Sequence, residues 1–166
     1  MPVVYLGLGS NLGQSENIIA SALTSLSECS GLNVKSCAPF YRSKPLESKK
    51  QPDYLNTVAC LYCEYSALDL LNKLQLIEEH FGRQRNDERW ASRTLDIDIL
   101  LYDDVRMSNS RLTIPHAGLL QRDFVLYPLY EIAPEIEIPG FGPILSALQA
   151  CENRGLEKLN EYHWQP

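Results

Sequence analysis

The chain has 166 residues, of which 45% are hydrophobic, and a formal net charge of -6 at pH 7. This length is enough for one domain with a sizeable core, so we predict a single domain over residues 1–166. The acidic balance argues against a broad basic surface for nucleic acid or anionic membranes. No apolar run approaches the ~18 residues of a membrane span, and the N-terminus lacks the basic start of a signal peptide, so we expect a cytoplasmic protein.

The hydrophobic pattern of the first half predicts strands and helices in alternation. Residues 3–8 form an apolar strand, and residues 17–26 carry apolar side chains at helical spacing. Residues 33–40 and 56–64 are predicted strands, separated by a long exposed loop over residues 43–52 that is rich in Pro, Lys and Ser. Ser66 is a suitable N-cap for a second helix that stops at Gly82.

The second half is predicted to add one long strand and two helices. The predicted strand covers residues 95–102, residues 111–114 form a short extended piece, and the helices lie around residues 126–133 and 144–151. Pro128 is expected in the first turn of its helix, where a missing N–H is tolerated. The order β-α-β-β-α-β with a C-terminal addition predicts an α+β fold, a ferredoxin-like αβα sandwich with a mainly antiparallel sheet.

Two spacings in the first half look functional but favour structural interpretations. Cys60 and Cys63 form a C-x-x-C within a predicted strand, where residues three apart point to opposite faces, so we predict packing cysteines. Gly7, Gly9 and Gly13 have the spacing G-x-G-x-x-x-G, which is not the dinucleotide fingerprint. A tight turn from strand to helix is the favoured interpretation of these glycines.

Asp96 and Asp98 interrupt an otherwise apolar predicted strand. Their alternation puts both carboxylates on one face, about 6.5 Å apart along the strand. Without a cation they would repel and raise each other's pKa. Mg²⁺ favours one or two carboxylates together with water and substrate phosphates, so the pair predicts a magnesium site.

The segment directly before this strand carries four arginines in the twelve residues 82–93. Arginine forks match phosphate oxygens, and Trp90 could stack on a flat heterocycle. A solvated charged loop would explain the arginines alone. Together with Asp96 and Asp98 they indicate positioning and charge neutralisation of a nucleotide polyphosphate.

Two weaker groups point the same way. Arg111, Thr113 and His116 fall on one face if this piece is extended, and all three can bind phosphate or ribose. Tyr54 and Asn56 lie at the start of a strand after the long loop, where polar groups often contact ligands.

These motifs together resemble the 6-hydroxymethyl-7,8-dihydropterin pyrophosphokinases of folate biosynthesis. The most specific match is the run from Arg89 to Leu100, Arg-Trp-Ala-Ser-Arg-Thr-Leu-Asp-Ile-Asp-Ile-Leu. The supporting matches are Gly9-Ser10-Asn11-Leu12, Phe40-Tyr41-Arg42-Ser43, Gln51-Pro52-Asp53-Tyr54-Leu55-Asn56, Gly82-Arg83-x-Arg85, Leu112-Thr113-Ile114-Pro115-His116 and Pro128-Leu129-x-Glu131-Ile132-Ala133-Pro134.

The resemblance implies a monomeric enzyme that transfers the β,γ-pyrophosphate of ATP to the pterin hydroxymethyl oxygen and releases AMP. It implies that Asp96 and Asp98 bind two Mg²⁺ ions and that Arg83 and Arg93 meet the phosphates. The residues implied on the ATP side are Glu78, Arg85, Arg93, Ile99, Arg111, Thr113, His116 and Arg122. Those implied in the pterin slot are Ser43, Lys44, Leu46, Tyr54, Asn56, Trp90, Asp96 and Phe124.

The chain departs from the family pattern at two positions. Lys44 replaces a proline that is common after Tyr-Arg-Ser/Thr, and Ala117 follows His116 where many relatives have a larger residue. Two other function classes remain open from the residues alone: a ferredoxin-like RNA-binding module and another magnesium phosphotransferase. The acidic balance argues against the RNA-binding module. The reaction products would distinguish another magnesium phosphotransferase from a pyrophosphokinase.

Overall fold

The computed structural model describes residues 1–45, 51–82, 94–160 and 164–166. The helices in these ranges are α1 (Ser15–Glu28), α2 (Ala67–His80), α3 (Asp123–Ile132), α4 (Ile144–Ala150) and a 3-10 helix (Leu119–Gln121). The strands are β1 (Val3–Ser10), β2 (Leu32–Cys37), β3 (Phe40–Ser43), β4 (Tyr54–Cys63), β5 (Asp96–Tyr102), β6 (Met107–Ser108), β7 (Thr113–Ile114), β8 (Glu137–Ile138), β9 (Gly142–Pro143) and β10 (Glu157–Leu159).

The main sheet has the strand order β10-β3-β4-β1-β5, with β2 also pairing with β4. Every pair in it is antiparallel. Two short hairpins, β6–β7 and β8–β9, lie outside this sheet. The prediction of a mainly antiparallel sheet is therefore confirmed.

Helices cover both faces of the sheet. On one face, Leu6 and Leu8 of β1 pack with the apolar stripes of α1 and α2, including Leu23 and Leu74. On the other face, Val58 of β4 belongs to a second cluster with α3 and α4. A buried leucine stabilises a fold by about 1.5–3 kcal/mol, so the two clusters hold the layers together. The αβα sandwich is confirmed, and the helices in the described ranges lack the length and apolar character needed to cross a bilayer.

The structure corrects two details of the predicted elements. The predicted strand over residues 33–40 is divided into β2 and β3 because Pro39, which has no N–H to donate, lies between them. Both parts still run along the same edge of β4. Pro128 lies inside α3 and not in its first turn, because the helix begins earlier, at Asp123.

The C-x-x-C pair packs as the strand alternation predicts. Cys63 is fully buried in the core beneath α1 and α2. Cys60 is half-buried and lies opposite Tyr5 in the register of β1 and β4. All five cysteines are free thiols.

Cys37, at the end of β2, should react slowly with alkylating reagents. Burial raises the pKa of its thiol from 9.0 to about 11. The thiolate is the reactive form, so at pH 8 its population should be about 100-fold below that of an unperturbed cysteine. We expect mass spectrometry to show slow iodoacetamide labelling of Cys37 at pH 8, with the rate still rising towards pH 11. Labelling as fast as that of a cysteine-containing model peptide would contradict this assignment.

Candidate active site

β5 presents Asp96 and Asp98 on one face of the sheet. Ile97 and Ile99, which alternate with them, are 3% and 2% exposed and lie in the core with α1 and α2. The aspartates therefore face the opposite side, where α3 and α4 cover only part of the sheet. The pairing of β5 with β1 sets Asp96 beside Gly9 and Asp98 beside Gly7.

The same register brings part of the predicted pterin slot onto this face. Asn56 lies opposite Gly9 on the other edge of β1, and Tyr54 lies opposite Ser43 on β3. Asn56 Nδ2 donates a hydrogen bond of 2.7 Å to Ser43 Oγ. Lys44 follows Ser43 and is exposed, while the predicted slot residues Leu46 and Trp90 lie outside the described residues.

The glycines of β1 keep the space between these groups open. A Cβ atom on Gly9 would lie 3.1 Å from Asn56 Oδ1, and one on Gly7 would lie 3.3 Å from Leu100 Cδ2. The interpretation of these two glycines as a turn was wrong, because both lie within β1. Only Gly13, with φ 71°, belongs to the connection into α1. Gly7 and Gly9 are two residues apart, so on a strand they lie on the same face and leave it without side chains. This spacing could have predicted the open surface.

Asp98 lies beside two nitrogen-bearing side chains. His116 Nε2 is 3.6 Å from Asp98 Oδ2, and Arg122 Nη1 is 4.0 Å from the same oxygen. The backbone N–H of Gly118 donates to His116 Nδ1 at 3.0 Å, so a neutral His116 carries its proton on Nε2, the nitrogen nearer Asp98. Burial lowers the pKa of His116; Asp98 opposes this shift and Arg122 adds to it.

The start of α3 carries both Arg122, which lies near Asp98, and Phe124, a residue of the predicted pterin slot. The Arg122 guanidinium lies 5.8 Å from the centre of the Phe124 ring. Asp123, between them, is 5% exposed, and its two oxygens accept the N–H groups of Phe124 at 2.7 Å and Arg154 at 2.8 Å. Asp123 was not among the residues predicted from the sequence. Its signal was an acidic residue in the first helical turn, flanked by two predicted site residues.

The residues predicted on the ATP side are spread over several elements. Glu78 of α2 is 4% exposed, and its Oε2 accepts the Ile97 N–H at 2.9 Å. The Ile99 side chain lies in the core, which leaves only its backbone for a ligand. Arg111 donates to Asn72 Oδ1 of α2 at 2.5 Å, a partner that the sequence analysis missed.

The expected common face of Arg111, Thr113 and His116 was wrong. It assumed an extended chain, but within this piece only Thr113–Ile114 forms a strand. Arg111 contacts α2 and His116 lies next to Asp98, while the exposed Thr113 hydroxyl is 3.2 Å from Ser108 Oγ. The predicted phosphate ligands Arg83, Arg85 and Arg93 lie outside the described residues.

A cavity of about 490 Å³ borders His116 and Thr113. The hairpins β6–β7 and β8–β9 form its walls, and Ala117 and Phe141 are among its lining residues. The small Ala117 side chain, one of the departures from the family pattern, therefore faces open space next to a predicted ATP residue.

The donor set on β5 suits a cation that is shared with a ligand. In the described part of the chain, no group of three His, Cys, Asp or Glu side chains could enclose a metal ion. Two neighbouring carboxylates with part of their surface exposed fit Mg²⁺, which keeps water and phosphate oxygens in its coordination shell. A structural zinc site would need a fuller protein donor set.

A comparison with solved structures identifies the same architecture elsewhere. The chain of the "Crystal Structure Analysis of the HPPK-DHPS in complex with substrates" superposes on 90% of this chain with a TM-score of 0.71 and 14% sequence identity. A Plasmodium falciparum HPPK-DHPS chain gives a TM-score of 0.68 at 13% identity. The present chain covers 43% and 42% of these longer chains. Because the sequence identities are this low, the likeness concerns the fold alone.

Sequence comparison is more specific. Two relatives carry the name 2-amino-4-hydroxy-6-hydroxymethyldihydropteridine pyrophosphokinase. The Haemophilus influenzae protein is 42% identical over 160 residues, covering 96% of this chain and 99% of the relative. The Pseudomonas aeruginosa protein is 40% identical over 156 residues, covering 94% and 96%. Residues 5–134 also match the family model described as 7,8-dihydro-6-hydroxymethylpterin-pyrophosphokinase (HPPK). The chain therefore belongs to the HPPK family.

Proposed function

We propose that this chain transfers pyrophosphate from ATP to 6-hydroxymethyl-7,8-dihydropterin, giving the pterin diphosphate and AMP in tetrahydrofolate biosynthesis. The observation that carries the proposal is the arrangement across β1, where Asp96 and Asn56 flank Gly9 on one face of the sheet. A polyphosphate site at Asp96 and a slot for a flat ring at Asn56 can thus lie side by side across β1. We further propose that residues 1–166 act as a single domain, as a monomer and in the cytoplasm.

The reaction exchanges one P–O bond for another. The pterin hydroxymethyl oxygen forms a bond to the β-phosphorus of ATP, and the bond from that phosphorus to the oxygen bridging the α-phosphate breaks. The electron pair leaves with AMP, and the alcohol loses its proton. Two Mg²⁺ ions held by Asp96 and Asp98 together with the phosphates would neutralise the developing charge.

The pterin slot is assigned to residues on the Asn56 side of the site. Asn56 directs its Nδ2 to Ser43, and its Oδ1 lies 3.1 Å from the position of a Cβ on Gly9. This supports the proposal that the oxygen accepts an N–H from a ring over the glycine. Phe124 offers an aromatic face at the start of α3, and Trp90 is assigned to the opposite face of the ring. Ser43, Lys44, Leu46, Tyr54 and Asp96 complete the assignment.

The nucleotide is assigned to the side of Asp98 that faces His116 and Arg122. The short distances from Asp98 to both side chains give a polar corner where phosphate oxygens can replace carboxylate contacts. Charge-assisted bonds from arginine suit this task because catalysis of phosphoryl transfer is mostly positioning and charge neutralisation. The other residues assigned to contact with ATP are Arg83, Arg85, Arg93, Ile99, Arg111 and Thr113. Glu78 is assigned to the ATP side through its hydrogen bond to β5.

Product analysis tests this function directly. With ATP, Mg²⁺ and the pterin alcohol, we expect chromatography to show AMP and the pterin diphosphate in equal amounts. Asp96→Ala and Asp98→Ala should each lower kcat by about 10²-fold or more, because each removes charge that positions the cation and phosphates. Asp104→Ala, just beyond the end of β5 and exposed, is the matched control and should retain wild-type turnover.

Three results would contradict the assignment. ADP in place of AMP would indicate transfer of the γ-phosphate alone. Full turnover by Asp96→Ala or Asp98→Ala would remove the metal assignment. Salt-sensitive RNA binding in a filter assay, without pterin turnover, would support the RNA-binding alternative.

Gly9→Ala should selectively weaken pterin binding. The new methyl group would lie 3.1 Å from Asn56 Oδ1 and would occupy the floor of the slot. We expect the KM for the pterin to rise about 10-fold, equivalent to about 1.4 kcal/mol, with little change in the KM for ATP. Asn56→Ala should have a similar effect. A double-mutant cycle measures the coupling, which should be clearly non-additive. Independent effects of the two substitutions would show that Gly9 acts elsewhere.

A further inference from the structure

Glu78 is a buried carboxylate that accepts a hydrogen bond from the backbone of β5. Its side chain projects from α2, is 4% exposed and accepts the Ile97 N–H through Oε2 at 2.9 Å. Burying a carboxylate is costly unless hydrogen bonds compensate it. An apolar side chain would fill this position of the α2 core face more cheaply, so the charge needs a reason beyond packing.

The contact lies at the outer edge of the main sheet. β5 is the last strand in the order and pairs through one edge with β1. The described part of the chain places no strand along its other edge, where N–H groups would otherwise lack ladder partners. Hydrogen bonds from N–H to a carboxylate are charge-assisted and roughly twice as strong as neutral ones. Glu78 thus takes the place of a neighbouring strand at Ile97.

Ile97 is the residue between the two aspartates. Because strand side chains alternate, fixing the backbone and the buried side chain of Ile97 fixes the direction in which Asp96 and Asp98 project. The two carboxylates repel each other when no cation lies between them. Asp98 is also drawn towards His116 and Arg122. An edge strand under these lateral forces needs an anchor on the side away from β1.

We propose that Glu78 is a positioning residue that anchors β5 through the Ile97 N–H and so holds Asp96 and Asp98 in the geometry that binds Mg²⁺ with the ATP phosphates. The proposal rests on the proposed function of the two aspartates. It assigns Glu78 Oε2 to the protein backbone, so Glu78 acts on the nucleotide through β5. For this role the side chain must place an acceptor oxygen at the Ile97 N–H, and the negative charge strengthens that hydrogen bond.

Three variants separate anchoring from a direct contact with ligand. Glu78→Gln keeps the shape and an acceptor oxygen, Glu78→Leu removes the acceptor, and Glu28→Leu makes the same apolar change at an exposed position on α1. In the ligand-free proteins, hydrogen exchange by NMR reports the protection of the Ile97 amide. In the enzyme assay, titration with Mg²⁺ reports the concentration that gives half-maximal turnover.

We expect Glu78→Leu to speed exchange of the Ile97 amide at least about 10-fold and to raise the half-saturating Mg²⁺ concentration at least about fivefold. For Glu78→Gln, both the exchange rate and the half-saturating Mg²⁺ concentration should stay close to the wild-type values. For Glu28→Leu, both should equal the wild-type values. A loss of thermal stability alone, with unchanged Mg²⁺ dependence, would overturn the proposal. So would a Glu78→Gln protein in which Ile97 stays protected while Mg²⁺ dependence shifts as in Glu78→Leu, because the carboxylate would then act on ligand directly.

Hydrogen exchange at Ile97 tests the anchor even if a variant does not fold or the enzyme shows no activity. If Glu78→Leu does not fold, the wild type and Glu78→Gln still decide the question, since a rapidly exchanging Ile97 amide in the folded wild type would contradict the anchor. If the wild type makes no AMP, the proposed function fails, whereas protection of Ile97 by Glu78 is still tested in the ligand-free protein.

Discussion

The pairing of β1 with β4 on one edge and β5 on the other is the constraint on which the site depends. This register alone sets Asn56, Gly9 and Asp96 in one row across the sheet. A slip of one residue would turn the aspartates into the core and the core residues to the surface. Ile97 and Ile99 of β5 prevent such a slip, because their burial against α1 and α2 would be lost, and Leu6 and Leu8 fix β1 in the same way. The hydrophobic core thus fixes the geometry of polar groups on the opposite face.

Electrostatics then distinguishes the two sides of that face. Asp98 lies within 4.0 Å of Arg122 and close to a His116 whose pKa is lowered by burial. These contacts partly satisfy the carboxylate before any ligand binds, yet all three side chains keep some exposure. A ligand that brings both phosphate oxygens and a divalent cation can satisfy the carboxylates and the arginine together. A ligand with only one of these charges would leave the other set unmatched.

Much of the fold was predictable because hydrophobic periodicity is local. β1, α1, α2 and β5 all follow from it, and the motif with Asp96 and Asp98 was predictable from alternation on β5. Other features depend on contacts far apart in sequence. Arg111 was expected to share one face with Thr113 and His116 if this piece were extended, but it donates to Asn72 of α2, and no local pattern encodes that contact. The open floor at Gly9 was missed because its meaning depends on Asn56, which lies across the sheet.

Asp123 and Glu78 show one way in which a protein can position the groups of the proposed site precisely. Asp123 is buried between Arg122 and Phe124 and accepts backbone N–H groups from α3 and from Arg154. Glu78 accepts the N–H of Ile97, which is buried between Asp96 and Asp98. In each case the interior fixes the middle residue of three, and its two neighbours are residues assigned to the proposed site. Since a buried carboxylate loses solvation whichever way it points, it favours the one geometry in which backbone N–H groups replace water. The desolvation cost of the buried carboxylate therefore also restricts it to one orientation. The solvated Asp96 and Asp98 carboxylates have no such restriction of their own.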